Sequence, residues 1–223
     1  LAAIEAFQPA GLHVRGRRAL DVGASTGGFT QVLLAAGASH VVALDVGHDQ
    51  LAPIVGADPR VTEVSSTNIR DVRPGDLGDP FALIVGDLSF ISLRLILPVL
   101  RPLAAELADL VLLVKPQFEV GRDGVGKRGV VSGAAPHLAA LTDVCQVAQD
   151  CGLGVRGVEP SPLPGNAGNR EYLVWFSTDR AAHLPDLADR IVRAVEARPT
   201  SAERPRAVRH PGAPRPRRES KDS

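Results

Sequence analysis

The sequence predicts an α/β fold, a mostly parallel sheet with helices on both faces. Three observations carry that prediction. Short apolar runs of strand length alternate with helix-spaced segments along most of the chain. A glycine turn, Gly23-Ala-Ser-Thr-Gly-Gly28, joins the first such run to the first well-marked helix. Two later runs end directly in charged residues, which brings charge to one rim of the sheet.

In chain order, Leu1 to Phe7 reads as the end of a helix, closed by Pro9 and Gly11. The first strand runs to about Val22. Phe29, Val32, Leu33 and Leu34 then recur at helical spacing as far as Ala36, with Gly37 as the stop. Ser39 to Asp45 is the second strand and Gln50 to Val55 a short helix, with Pro53 in its first turn. Val61 to Val64 is the third strand, with Thr67-Asn68 just beyond it. Phe81 to Val85 is the fourth, ending in Gly86-Asp87. Ile91 to Leu107 is expected as a helix bent at Pro98 and Pro102, and Leu110 to Val114 as the fifth strand, ending in Lys115-Pro116. A long polar loop, Gln117 to Gly133, has the length of a lid or binding loop. His137 to Gln149 is a helix, Val155 to Val158 and Tyr172 to Phe176 the last two strands, and Ala181 to Ala197 a final amphipathic helix. No helix separates the last two strands, so one strand there should be antiparallel.

The chain has 223 residues, enough for one α/β domain with a real core. No apolar run approaches the roughly 20 residues of a membrane span, and Leu1 opens in a helix-like stretch, not a signal peptide. Cys145 and Cys151, six positions apart, fall on different faces of one helical stretch, so a reduced, cytoplasmic setting without a disulfide is expected. There is no methionine, and residue 1 is leucine, which reads as a fragment or a mis-assigned start. Formal net charge is zero but unevenly spread. Residues 198–223 hold eight Lys/Arg against three Asp/Glu, a charge of +5 that leaves −5 on residues 1–197. With five prolines, that basic tail is expected to be disordered beside a folded domain over 1–197.

The glycine turn narrows the ligand. A dinucleotide site wants G-x-G-x-x-G with its pyrophosphate at the helix N-terminus, and G-x-x-x-G-G fits that poorly. S-adenosylmethionine has no phosphate. It needs an acidic residue at the strand end, a glycine loop against its amino-acid part and a second carboxylate for its ribose. Asp21 and Asp45 supply the acids, and Gly23, Ala24, Ser25, Gly27 and Gly28 the loop. Asn68 offers an amide to the adenine edge, and His48 lies within sequence reach of the same region. No metal is expected.

Asp87 and Lys115 directly follow parallel strands, and Glu171 begins a strand that runs the other way. All three should therefore reach the rim that carries the glycine turn. Asp87-Leu-Ser-Phe-Ile-Ser92, Leu113-Val-Lys-Pro-Gln-Phe-Glu119, Ser161-Pro-Leu-Pro-Gly165 and Gly168-Asn-Arg-Glu-Tyr172, taken with the Gly23 turn, resemble the hemolysin A (TlyA) family, a branch of the FtsJ-like RNA 2′-O-methyltransferases. The resemblance covers roughly residues 1–177. It implies a class I, Rossmann-like methyltransferase fold of seven strands, S-adenosylmethionine as donor, ribosomal RNA as partner and substrate, and methylation of a cytidine ribose 2′-oxygen. It also implies a Lys-Asp-Lys-Glu tetrad, with Asp87, Lys115 and Glu171 matching its last three members and Asp87 also touching the cofactor. The tetrad's first lysine and the family's N-terminal S4-type RNA-binding domain would both lie before Leu1 and are absent from this sequence.

The chemistry agrees with these residue types. A ribose hydroxyl is a poor nucleophile until deprotonated. Lys115 would stabilise the developing alkoxide or accept the proton, and much of the rate would come from alignment. A core of net charge −5 needs local basic patches to meet RNA, for which Arg94, Arg122, Lys127, Arg128 and Arg170 are the candidates. Two rival readings follow from the residues. The absent lysine suggests a non-catalytic RNA- or ribosome-binding remnant. Amine methylation would favour an Asn/Asp-Pro-Pro-aromatic loop, and Asp87-Leu-Ser-Phe90 has the aromatic but neither proline.

Overall fold

The computed structural model describes residues 2–121, 124–126 and 128–197. Seven strands form one sheet: β1 (Arg18–Val22), β2 (His40–Leu44), β3 (Val61–Val64), β4 (Phe81–Gly86), β5 (Ala104–Val114), β6 (Gly154–Pro160) and β7 (Tyr172–Ser177), in the order β3-β2-β1-β4-β5-β7-β6. The first five pair in parallel, and β7 pairs antiparallel with both β5 and β6. The expected single reversed strand is therefore β7, and it carries Glu171 back to the rim where β4 and β5 end.

Alternation along the strands builds two cores. Leu20 and Val22, Leu110, Leu112 and Val114, and Tyr172, Val174 and Phe176 face one side. There they meet α4 (Leu93–Leu100), α6 (Ala134–Asp150) and α7 (Leu187–Glu196). Ala19, Val111, Leu113, Leu173 and Trp175 face the other, against α1 (Ala2–Phe7) and α2 (Gly28–Ala35). Each fully buried large side chain contributes roughly 1.5–3 kcal/mol to this layering. Trp175 is wholly buried, its ring 5.6 Å from that of Phe7, and its indole N–H donates to Asp109, which also pairs with Arg17.

Several elements differ from expectation for local reasons. The helix expected over 91–107 ends at Leu100, passes through a 3₁₀ turn at Arg101–Leu103, and β5 already begins at Ala104. Pro102 stands in the first turn of that 3₁₀ segment, where its missing N–H breaks the helical ladder. The final helix starts at Leu187, not Ala181: Pro185 disfavours helix at the residue before it, His183 is extended (φ −63°, ψ 136°), and Arg180–Ala182 is a separate 3₁₀ turn capped by the Asp179 side chain. The short helix expected from Gln50 is α3 (Pro53–Gly56). Ala52 before the proline is extended (φ −59°, ψ 135°), so Pro53 sets the start. Pro116–Glu119, expected as the beginning of a loop, is one helical turn, α5. Residues 198–223, expected as a tail, lie outside the described residues. Among the described residues no helix is long and apolar enough to cross a membrane, and both cysteines are free.

Candidate active site

Two adjoining cavities open at the carboxyl ends of the parallel strands, the place where open α/β sheets bind ligands. The first, of about 370 Å³, is lined by Gly23, Ser25, Asp45 and Asn68 on its polar side and by Val22, Leu44, Val46, Ile69, Ile91 and Ile96 among others on its apolar side. The second, of about 530 Å³, is lined by Asp87, Lys115 and Glu171 together with Gln117, Phe118 and Arg128 among others. Asp87, Ser89 and Phe90 line both.

The first cavity is shaped by the turn after β1. Gly23 takes φ +80°, and a Cβ there would lie 2.7 Å from the Asp87 carbonyl oxygen, so only glycine lets the ends of β1 and β4 approach this closely. Asp45, one residue past β2, ties the next loops down: its Oδ2 accepts from the Ser25 N–H at 2.8 Å and its Oδ1 from the Gly47 N–H at 2.7 Å. Ser25 is held at φ +47°. Asn68 caps the 3₁₀ turn Ile69–Asp71 by accepting from the Arg70 N–H. Its Oδ1 is thus engaged, which leaves its NH₂ as the group it can offer an adenine ring nitrogen.

Other residues expected at the cofactor lie elsewhere. Asp21 is completely buried beneath the turn. Its Oδ2 accepts from Thr30 Oγ1 at 2.7 Å, and its Oδ1 has no hydrogen-bond partner among the described residues. Burial pushes its pKa up to about 6, against the lowering effect of the Thr30 hydrogen bonds. Asp21 therefore supports the turn from below and does not line the cavity. Ala24, Gly27 and Gly28 also stand outside its lining. His48 is exposed, paired with Asp49 and Ser66, and does not reach it.

The structure brings Asp87, Lys115 and Glu171 together. Lys115 Nζ lies 2.6 Å from Asp87 Oδ1 and donates to Ser89 Oγ at 2.9 Å. Asp87 Oδ1 meets no aligned hydrogen-bond donor despite that short approach, so the contact acts as an ion pair more than as a directed bond. Glu171 is buried, and burial raises its pKa; Lys115 and the Gln117 amide, 3.4 Å away, draw it down, and Asp87 adds to the rise. Behind the rim, buried Glu119 accepts from Ser92 Oγ at 2.5 Å and from the Leu93 N–H at 2.7 Å. It thereby fastens the turn after β5 to the start of α4. Among the described residues no cluster of three or more His, Cys, Asp or Glu could hold a metal ion.

Of the basic candidates, Arg128 lines the second cavity. Arg94 is engaged with Ser92, Glu119 and Asp143, and Arg170 donates to the carbonyls of Ala194, Val195 and Ala197 at the end of α7. Neither of these two is a free cation for RNA. Arg122 and Lys127 lie outside the described residues.

Residues 1–178 match the family model described as FtsJ-like methyltransferase. The chain belongs to the FtsJ-like methyltransferase family. It is 49% identical over 199 residues to the 16S/23S rRNA (cytidine-2′-O)-methyltransferase TlyA of Mycobacterium tuberculosis, an alignment covering 88% of this chain and 73% of that protein. It is 41% identical to the putative rRNA methyltransferase YqxC of Bacillus subtilis, over 83% of this chain and 67% of the relative. Among solved structures, a putative hemolysin from Lactococcus lactis superposes with a TM-score of 0.80 at 36% identity, covering 86% of this chain and 91% of the other. A putative S-adenosylmethionine-dependent methyltransferase from Listeria monocytogenes, at 14% identity and a TM-score of 0.58, shares the fold.

In this FtsJ-like domain the first cavity fits S-adenosylmethionine. Its lining sets apolar side chains beside the Asp45 carboxylate, and it opens directly onto Asp87 and Lys115. Sequence reasoning missed Phe90, which is 90% exposed, held at φ +65°, and packed 5.3 Å ring to ring from Phe118. It also missed Gly165, where a Cβ would sit 1.9 Å from Glu171 Oε1. Phe90 left one readable signal, an aromatic in a polar segment between a strand end and a helix cap. Gly165 ends the Ser161–Gly165 segment that carried the family resemblance, but nothing in that segment pointed to Glu171.

Proposed function

We propose that this chain transfers a methyl group from S-adenosylmethionine to the ribose 2′-oxygen of a cytidine in ribosomal RNA. The observation that supports this reading above the others is the meeting of Asp87, Lys115 and Glu171 in a cavity that adjoins a cofactor-shaped one. The names of the relatives supply the RNA and the cytidine. S-adenosylmethionine, when bound, supplies an electrophilic sulfonium methyl. Asp45 would accept from its ribose hydroxyls, Asn68 would donate to its adenine, and the Gly23 turn would admit its amino-acid part. Asp87 and Ser89 hold the Lys115 ammonium where a ribose oxygen entering the second cavity would meet it. The hydroxyl proton would pass to the Glu171 carboxylate in the same cavity or to solvent, and the negative charge that builds on that oxygen then faces a fixed positive group, an electrostatic arrangement that accelerates group transfer. Phe90 and Phe118 offer ring faces at the mouth, the kind of surface on which an unstacked base rests.

The test is transfer of labelled methyl to ribosomal subunits and free ribosomal RNA, with nuclease mapping of the product. Label is expected on a cytidine ribose. Lys115→Ala is expected to lower transfer by at least about 100-fold while cofactor affinity stays within about twofold. Label on a base amine, or full activity in Lys115→Ala, would overturn the assignment.

A further inference from the structure

An ammonium group has three N–H donors and no preferred direction unless its acceptors fix one. Asp87 and Ser89, two residues apart on the segment after β4, hold the Lys115 ammonium in different ways: the Ser89 hydroxyl accepts one N–H at 2.9 Å, and the Asp87 carboxylate faces it as an ion pair at 2.6 Å without an aligned hydrogen bond. Both partners come from that one segment, and Lys115 lines the cavity it shares with Glu171. An Asp alone would let the ammonium swing about its carboxylate. The Ser89 hydroxyl turns one attachment into two.

Ser89 also stands at the junction of the two cavities, a position it shares among the described residues with Asp87 and Phe90 alone. Its side chain fills no core: the residue is exposed, and its hydroxyl accepts from Lys115. Neither Asp87 nor the cofactor turn needs a hydroxyl there for packing.

We infer that Ser89 is a positioning residue for methyl transfer, whose Oγ aims the Lys115 ammonium at the attacking oxygen. The inference rests on the proposed reaction and deepens it. Misplacing a reacting group by about 1 Å costs on the order of 100-fold in rate, which sets the scale of the effect.

The experiment compares single-turnover methyl transfer and cofactor affinity in Ser89→Ala, Ser89→Cys and Ser89→Thr of the full-length protein. Cysteine nearly matches serine in size but is a weak hydrogen-bond acceptor, and threonine keeps the hydroxyl. Ala and Cys are expected to slow the transfer step by about 10- to 100-fold with KM for RNA and thermal midpoint unchanged, and Thr is expected to restore most of the rate. Wild-type rates in Ala and Cys, or a Thr variant as slow as Ala, would overturn the role. A rise in KM for RNA with kcat intact would overturn it too, since Ser89 would then bind substrate without aiming Lys115. A wild-type protein that transfers no methyl would sink the underlying reaction instead, so the two failures are distinguishable.

Discussion

At the scale of single residues the site depends as much on what is missing as on what is present. Glu171 can stand beside Lys115 because Gly165 has no side chain: a methyl there would overlap the carboxylate, with Oε1 only 1.9 Å away. Gly165→Ala is therefore expected to displace Glu171 and lower methyl transfer by about 10-fold or more, while the thermal midpoint and cofactor affinity barely change; an unaffected rate would show that Glu171 need not hold this position. Asp21 makes an opposite case, a charge held where solvation is poor. Its pKa, raised from 3.8 to about 6 by burial, means that the folded state binds the proton more tightly than the unfolded chain. Its contribution to stability is thus fully present below about pH 4 and is lost as pH rises through about 6. Asp21→Asn removes that loss, so its stability relative to wild type should rise by about 3 kcal/mol between pH 4 and pH 7, as read from urea unfolding; a pH-independent difference would refute the shift. Asp87, Lys115 and Glu171 were legible in sequence because charged residues follow or precede apolar strands. Ser89, Phe90 and Gly165 were not, because each owes its role to a neighbour far away in the chain.

At the scale of elements, the turns after β4 and β5 act as one unit. Lys115 reaches Asp87 and Ser89, the Phe118 ring packs on that of Phe90, and Glu119 bonds Ser92 and Leu93. Glu119 is the anchor of this pairing, since its carboxylate is buried and caps the first turn of α4. Replacing it by alanine strands the Leu93 N–H and the Ser92 hydroxyl, at a cost of about 2–3 kcal/mol. It should also slow methyl transfer, because the partners of Lys115 lose their brace. Glu119→Gln, which keeps an acceptor for Leu93, is expected to lose less on both counts, and equal losses for the two variants would argue against the capping role. The elements that sequence misplaced share a cause. Helical periodicity continued past Pro102 and began before Pro185 and Pro53, and in each case the proline, not the apolar pattern, set the boundary. The strands were legible because each is a short apolar run bounded by turns. The early start of β5 was not, because Ala104 to Leu107 is partly exposed and joins β4 only across a register shift.

At the scale of the whole molecule, charge is divided between residues 1–197 at −5 and residues 198–223 at +5. The described residues satisfy the end of their last helix among themselves. Arg170 satisfies the last carbonyls of α7 from within the chain, and Ile191, Ala194 and Val195 of the same helix are already buried against the sheet. The two cavities lie at the carboxyl ends of the central strands, and among the described residues none of their lining comes from beyond Glu171. A protein ending at Ala197 is therefore expected to keep its thermal midpoint and its cofactor affinity. What it should lose is electrostatic. The stretch carries eight Lys/Arg, and each phosphate contact they make adds roughly 0.9 to the slope of log affinity against log salt for duplex and about 0.7 for single strands. RNA binding by the truncated protein should accordingly be weaker at low salt, with a shallower slope, and should converge with that of the longer chain as salt rises. Identical slopes for the two would show that the basic stretch makes no phosphate contacts and that RNA is held by the domain, with Arg128 at the cavity as the first residue to test.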